Sequence, residues 1–216
     1  MISLDPITIL SLLLGITTII VFEVRYLKWA VYAYVFQTLL LVSIFSVIAY
    51  QHHFEPLYAW SITAFVTKVV LVPYVLWKLL DKVKIYVEDC PVAGIYTPFV
   101  AVAISLSVAI LISPLFLKFA LIKLPIPLTV SIAIFMMGIL GFVFRRCAFK
   151  QILSFCLFEN GIHLTLALTA SSAPETVEIG ILTDAIFAVI IMSVLAKRFY
   201  KYLGTWNTSK ANSLKG

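Results

Sequence analysis

A carboxylate, an amide, a glycine and an imidazole interrupt one of the apolar segments of this chain. They belong to Glu159, Asn160, Gly161 and His163. An acidic residue at a bilayer centre costs about 3 kcal/mol on insertion scales, and such residues usually face a bundle interior, a water-filled cavity or an ion path. Glu159 and His163 are four residues apart and share one helix face. Because burial brings both groups toward physiological pH, the pair predicts a proton relay. The alternative is a polar contact between helices in which Glu159 stays protonated.

Two further charges lie inside apolar segments. Lys68 must be neutral or have an acidic partner, because an uncompensated ammonium is as costly there as a carboxylate. Pro73 removes a helix hydrogen bond, which predicts a kink and an acceptor beside Lys68. Asp184 follows Thr183 in the last segment, and we expect it to pair with Lys68, with either a functional or a structural role. Glu178 is interpreted as a charge at a helix start.

Gln37 and the glycine of the first cluster complete the set of supporting residues. Gln37 is the mid-segment polar residue of the second apolar run, directly after Phe36. Gly161 lacks side-chain bulk, so a neighbouring helix or water can approach Glu159.

The composition identifies an integral membrane protein built of helices. The chain has 216 residues, of which 62% are hydrophobic and 12% charged, and its mean hydropathy is +1.09. A soluble domain carries about twice this charge. The net charge of +6 does not indicate nucleic-acid binding, because the basic residues lie at the ends of apolar runs. The three cysteines have no metal-ligand spacing, and we expect no metal and no cofactor on this chain.

Seven apolar segments are long enough, or nearly so, to cross a roughly 30 Å hydrocarbon layer. The first and fifth are the shortest. Their ranges are 7–22, 29–50, 57–80, 96–116, 127–144, 149–169 and 177–200.

The basic residues predict the orientation of these spans. If the N-terminus faces out, thirteen of the sixteen Lys and Arg residues fall on the inner side. Only Lys118 and Lys123 fall outside. Cytoplasmic loops are rich in Lys and Arg, so we expect a cytoplasmic C-terminus.

A weak internal repeat divides the predicted bundle. Residues 1–93 and 127–201 each give three spans, and residues 94–126 form a fourth span with its linker. Residues 202–216 form a cytoplasmic tail that is either a frayed end or an arm docked on a neighbour. In this repeat Gln37 corresponds to Glu159, and Thr67 with Lys68 corresponds to Thr183 with Asp184. Units related by an axis along the membrane normal are known among membrane transporters.

The same residues resemble a known family. The run from Arg145 through Glu159 and His163 to Ala188, and in the first half Phe36, Gln37 and the stretch 63–73, resemble the membrane subunit hydrogenase-4 component E. The resemblance covers nearly the whole chain. The last three segments are similar to the K subunit of respiratory complex I and to the C subunit of multi-subunit sodium/proton antiporters.

The resemblance implies a place in a membrane-bound [NiFe]-hydrogenase or formate hydrogenlyase-type complex of a prokaryotic inner membrane. The two intramembrane glutamates of the K subunit would fall on Glu159 and Asp184, the latter a departure that shortens the side chain. The nickel centre and iron–sulfur clusters would belong to hydrogenase partner subunits, and antiporter-like subunits would lie alongside. No catalytic site is expected on this chain.

Two other functions are compatible with the residues alone. A stand-alone proton-coupled secondary transporter would explain the repeat and the midplane charges, although no pair of glycine-broken helices supports it. A structural adaptor would use every buried charge only to pair with another.

Overall fold

The computed structural model describes residues 5–88 and 97–213. These residues contain seven helical spans, each apolar and long enough to cross a membrane. This confirms the predicted all-helical polytopic fold. The helices are α1 (Pro6–Glu23), α2 (Leu27–His52), α3 (Pro56–Ala64) continuing into α4 (Val72–Val83), α5 (Thr97–Leu117), α6 (Pro125–Phe144), α7 (Ala148–Thr169) and α8 (Glu175–Leu203).

The third span is continuous but not uniform. A π-helical segment, Phe65–Leu71, joins α3 to α4. Pro73 follows directly, near the first position of α4. Proline has no N–H and its ring collides with the carbonyl four residues earlier, so a wider turn before it relieves both problems. The helix is therefore irregular before Pro73, as a π segment that contains Lys68. The kink and the free acceptor expected there stay predictions.

The centre of the bundle is the contact between α6 and α7, where glycines allow the two backbones to meet. A Cβ at Gly138 would collide with the backbone of Phe158, and one at Gly161 would collide with the backbone of Phe135. Small residues permit this close approach in membrane helices. Two thirds of the α7 span is buried, which makes it the most enclosed of the seven spans. The helix that carries Glu159 is thus the structural axis of the molecule.

The other helices surround this pair. α1 lies between α2 and α6, α5 packs mainly on α6, and α8 packs against α7 and the third span. The spans of α5 and α8 are only 22% and 28% buried. Both therefore present wide apolar faces to the surroundings.

A short antiparallel contact ties the segment after α4 to the loop between α1 and α2. Leu27 N–H donates to Tyr86 O at 2.9 Å, and Glu88 N–H donates to Arg25 O at 3.0 Å. We name this contact the first latch. It holds the basic end of the third span against the basic end of the first.

A second latch of the same form closes the other half. Ala148 N–H donates to Trp206 O at 3.0 Å, and Thr208 N–H donates to Arg146 O at 2.8 Å. Trp206 is buried and stacks on Phe149, with ring centroids 5.5 Å apart. The described part of the C-terminal tail is therefore packed on the start of α7 of its own chain, which differs from both expectations, a frayed end and an arm docked on a neighbour.

The two latches give the proposed repeat a register. Each follows a helix that ends in a left-handed residue, Lys84 with φ 59° and Gly204 with φ 67°. Counting from the matched hydrogen bonds places Gln37 opposite Phe158 and not opposite Glu159. It also places Asp184 about one turn farther from the basic end than Lys68. The correspondence expected from the sequence, which matched a Phe followed by a polar residue and a Thr followed by a charge, thus differs from this register by one residue and by about one turn. The repeat itself stays a prediction.

Candidate functional site

Lys68 is the centre of a buried polar cluster. Its side chain is about 2% exposed, and its Nζ lies 3.1 Å from Glu159 Oε1, 2.9 Å from Asn160 Oδ1 and 2.8 Å from His163 Nδ1. An ammonium carries three hydrogens, and its three neighbours here are two oxygens, which accept, and an imidazole nitrogen, which accepts only when it carries no hydrogen. Such close polar neighbours offset part of the cost of burying the ion pair. The cluster brings together the residues that the sequence singled out as most unusual.

Local helix geometry explains how these side chains converge. Glu159, Asn160 and His163 occupy neighbouring positions on the buried side of α7, and all three are nearly or fully buried. Lys68 is the buried residue of the π segment, whose other members are exposed or half-buried. The π segment therefore points the ammonium at α7, which joins the two halves of the chain.

The proton on His163 is linked to the charge on Lys68. His163 Nδ1 lies 2.9 Å from its own helix's Glu159 carbonyl oxygen and 3.5 Å from Glu159 Oε1. With Nδ1 unprotonated, the ring accepts a hydrogen bond from the Lys68 ammonium. With Nδ1 protonated, it donates to the carbonyl, and Lys68 must then be a neutral amine to approach it. A single proton can thus be held at either nitrogen.

A chain of hydrogen bonds leads from this cluster to α1. Asn160 Nδ2 donates to Gln37 Oε1 at 3.3 Å, Gln37 Nε2 donates to Thr18 Oγ1 at 2.6 Å, and Thr18 Oγ1 donates to Leu14 O at 2.8 Å. Every donor in the chain points away from Lys68. The chain therefore fixes the Asn160 amide with its oxygen toward the ammonium.

Thr18 and Tyr34 belong to the site but were not predicted. Thr18 is 1% exposed, and Tyr34 is fully buried beside Cys156 and close enough to interact with the charge of Glu159. Threonine and tyrosine are common in membrane helices, so neither residue type gives a signal in one sequence. Their places follow only from the packing of α1 and α2 on α7.

Asp184 does not join the cluster. Its side chain is exposed on α8, as is Thr183, whose hydroxyl donates to Ile179 O at 2.6 Å. The expected pairing of Lys68 with Asp184 is wrong, since Lys68 pairs with Glu159. The backbone of Glu178 lies in the first turn of α8, and its side chain falls outside the described part of the structure.

A second charged cluster lies near the first latch. Arg145 donates to Glu88 Oε2 at 3.0 Å, to Glu23 Oε2 at 3.2 Å and to Phe22 O at 2.6 Å. Its guanidinium also lies 4.6 Å from the centre of the Phe22 ring. In the sequence, Arg145 is one of the basic residues on the predicted inner side and the start of the run that carries the resemblance. The structure makes it a link from the second half to the first.

Lys150 strengthens this link. It is 2% exposed, and its Nζ donates to Val21 O at 2.8 Å and to Phe22 O at 3.2 Å. These carbonyls belong to the last turn of α1, where the helix dipole favours a cation. The basic ends of both halves are therefore held together by buried charges.

No group of three or more His, Cys, Asp or Glu side chains is arranged for a metal within residues 5–88 and 97–213. Cys147 and Cys156 are buried free thiols, and Cys90 lies outside the described residues. Burial raises the pKa of the Cys147 thiol to about 11. A thiol in this state is a poor metal ligand and a poor nucleophile.

The bundle and its buried charge cluster define a polytopic membrane protein with titratable groups in its interior. Residues 126–216 match the family model described as NADH-ubiquinone/plastoquinone oxidoreductase chain 4L. The matched region contains α6, α7, α8 and the second latch.

Whole-chain comparisons narrow this class. The chain is 38% identical to "Hydrogenase-4 component E" of Escherichia coli (strain K12) over 208 residues, which is 94% of each protein. The protein of the same name in Shigella flexneri matches equally. The "Uncharacterized protein Rv0085" of Mycobacterium tuberculosis (strain ATCC 25618 / H37Rv) is 29% identical over 39% of each chain. No solved structure matches. The chain belongs to the hydrogenase-4 component E family.

Proposed function

We propose that this chain is a non-catalytic membrane subunit of a complex I-related [NiFe]-hydrogenase or formate hydrogenlyase-type complex, and that it carries protons coupled to electron transfer. The observation that supports this proposal most strongly is the buried contact of Lys68 with Glu159 and His163. Three titratable groups within hydrogen-bonding reach in an apolar bundle can store and pass a proton. Electron transfer would belong to partner subunits that hold nickel and iron–sulfur clusters.

The proton step follows from charge balance. In the paired state Lys68 is an ammonium and Glu159 a carboxylate, so the charges of these two residues cancel. A proton that reaches Glu159 removes the partner of the ammonium. An uncompensated buried charge costs about 3–5 kcal/mol. Arrival of one proton at Glu159 therefore promotes release of another from Lys68, through the neighbouring Nδ1 of His163.

Asp184 extends the proposed path toward a neighbouring subunit. Its carboxylate is exposed in the single chain although it lies within a membrane span. A charge facing lipid is costly, and intramembrane charges face protein or water. We infer that an antiporter-like subunit of the complex covers this face of α8. The assembly would reside in a prokaryotic inner membrane with the basic ends of the spans in the cytoplasm.

The test is Glu159→Gln in the intact complex. The substitution keeps size and one acceptor but removes the titratable group, so we expect assembly to be retained while proton translocation per electron pair falls at least tenfold. Translocation is measured in sealed membrane vesicles together with hydrogenase turnover. Asp81→Asn, which removes an exposed carboxylate near the end of α4, is the matched control. Unchanged translocation in Glu159→Gln would overturn the proposal.

The same experiment distinguishes the proton-carrying role from the alternative role of a structural adaptor. The Lys68 ammonium lies against Glu159 Oε1, Asn160 Oδ1 and His163 Nδ1, and a purely structural cluster would make the same contacts. In that case Glu159→Gln would lower the yield of assembled complex and leave the ratio of protons to electrons unchanged in what remains.

A further inference from the structure

We propose that a groove between the basic ends of α1 and α2 binds the acyl chain of an anionic phospholipid whose phosphate rests on Arg25. The groove has a volume of about 520 Å³. The α1 side contributes Thr17, Ile20 and Val24, and the α2 side contributes Tyr26, Trp29, Tyr32, Ala33 and Phe36. The lining is mostly apolar, and its most polar groups are the hydroxyls of Thr17 and of the two tyrosines.

The shape of the groove suits an acyl chain. On α1 it extends from Thr17 to Val24, and on α2 from Tyr26 to Phe36. At 1.5 Å per helical residue these stretches cover about 10–15 Å from the loop into the hydrocarbon layer. Small-molecule sites have volumes of about 300–1,000 Å³, so the groove is large enough for a lipid tail. Its open side faces the surroundings of the bundle.

The charge at the mouth favours an anion. Arg25 lies in the loop between two lining residues, and its main chain is held by the first latch. Its side chain is exposed, and the described residues offer its guanidinium no hydrogen-bond or ion-pair partner. The neighbouring carboxylate of Glu23 already pairs with Arg145. Arg25 therefore presents an exposed cation from a fixed main chain, without a counterion among the described residues.

Neighbouring residues set the depth of this site at the membrane surface. Lys28 lies over the ring of Tyr86 at 4.2 Å, and Trp29 is 67% exposed. Tyr32 packs against both Trp29 and Trp77. Trp and Tyr concentrate at the headgroup level of bilayers, and basic pockets between membrane helices bind anionic headgroups. Apolar groove, free cation and aromatic belt thus meet in one place.

The experiment uses the purified full chain and phospholipids with brominated acyl chains, which quench nearby tryptophan fluorescence. Trp29 lines the groove and reports on it directly. We expect brominated phosphatidylglycerol to quench at lower concentration than brominated phosphatidylcholine, and Trp29→Phe to remove this difference. Arg25→Gln should weaken apparent phosphatidylglycerol affinity about fivefold, equivalent to about 1 kcal/mol for one basic residue. Lys201→Gln, at the basic end of α8, should leave it unchanged.

Two results would overturn the proposal. The first is a lack of selectivity, seen either as equal quenching by the two lipids or as an equal loss of phosphatidylglycerol affinity in Arg25→Gln and Lys201→Gln. The second is a photo-crosslinker at Phe36 that attaches to a partner protein, and not to lipid, in native membranes. Neither measurement depends on proton translocation, so the lipid site and the proposed function fail separately.

Discussion

At the scale of single residues, a chain of hydrogen bonds determines which side of the Asn160 amide faces Lys68. The Asn160 amide presents its oxygen to the ammonium because Gln37 accepts from its nitrogen, and Gln37 is held in turn by Thr18. If this amide turned over, it would place an N–H group against the ammonium. Gln37 and Thr18 therefore position an acceptor for Lys68 without touching it.

Thr18→Val tests this orientation. Valine keeps the shape of threonine but leaves Gln37 Nε2 without its acceptor, a loss of about 1–3 kcal/mol for a buried group. With Asn160 no longer fixed, its oxygen is no longer held toward the Lys68 ammonium. We expect proton translocation per electron pair, measured in sealed vesicles, to fall about tenfold, equivalent to about 1.4 kcal/mol.

Thr18→Ser is the control, because it retains the hydroxyl. Its proton translocation per electron pair should equal that of the wild type. The charged and titratable groups facing Lys68 are Glu159 and His163 of α7, and they are the same in both variants. Wild-type translocation in Thr18→Val, in a complex where Glu159→Gln is uncoupled, would refute the positioning role of Thr18 alone.

At the scale of elements, the two latches hold the basic ends of the spans in place. The second latch depends on Trp206, which stacks on Phe149 and has Tyr200 6.2 Å away. Behind this contact lies Cys147, 2% exposed and paired with Asn207 across the latch. The matched hydrogen bonds of the two latches support our proposal that residues 1–93 and 127–201 are copies of one three-helix unit.

Trp206→Ala should open the second latch. Removing a buried tryptophan side chain costs about 3–5 kcal/mol, which exceeds the contribution of two backbone hydrogen bonds. We expect Cys147 to become alkylated by maleimide at least tenfold faster, as measured by mass spectrometry of the modified peptide. Trp77→Ala, which removes a partly exposed tryptophan, serves as the control. Equal protection of Cys147 in both variants would show that the tail does not cover it.

Much of the fold was predictable because bilayer thickness and apolar composition fix the number and length of spans. Glu159, His163 and Lys68 were also identified, since a charge in an apolar run is costly and therefore informative. Their pairing was not, because Asp184 and Glu159 are equally acidic in the sequence and only packing distinguishes a buried carboxylate from an exposed one. The role of Arg145 was hidden for a similar reason, as a loop arginine gives no sign of burial.

At the scale of the whole molecule, the buried cluster around Lys68 belongs to both halves of the chain at once. Lys68 comes from the first three-helix unit, and Glu159 with His163 comes from the second. The charges at the basic ends, Arg145 and Lys150, hold the same two units together. We infer that neither unit can move a proton without the other, because each supplies only part of the cluster.

A double-mutant comparison tests this central claim most directly. Proton translocation per electron pair is measured in sealed vesicles for Lys68→Met, Glu159→Gln and the double variant. Residues that act as one unit give strongly non-additive losses. We expect each single variant to lose translocation and the double variant to lose no more than the more severe single one. Losses that multiply in the double variant would contradict the account, because Lys68 and Glu159 would then act independently.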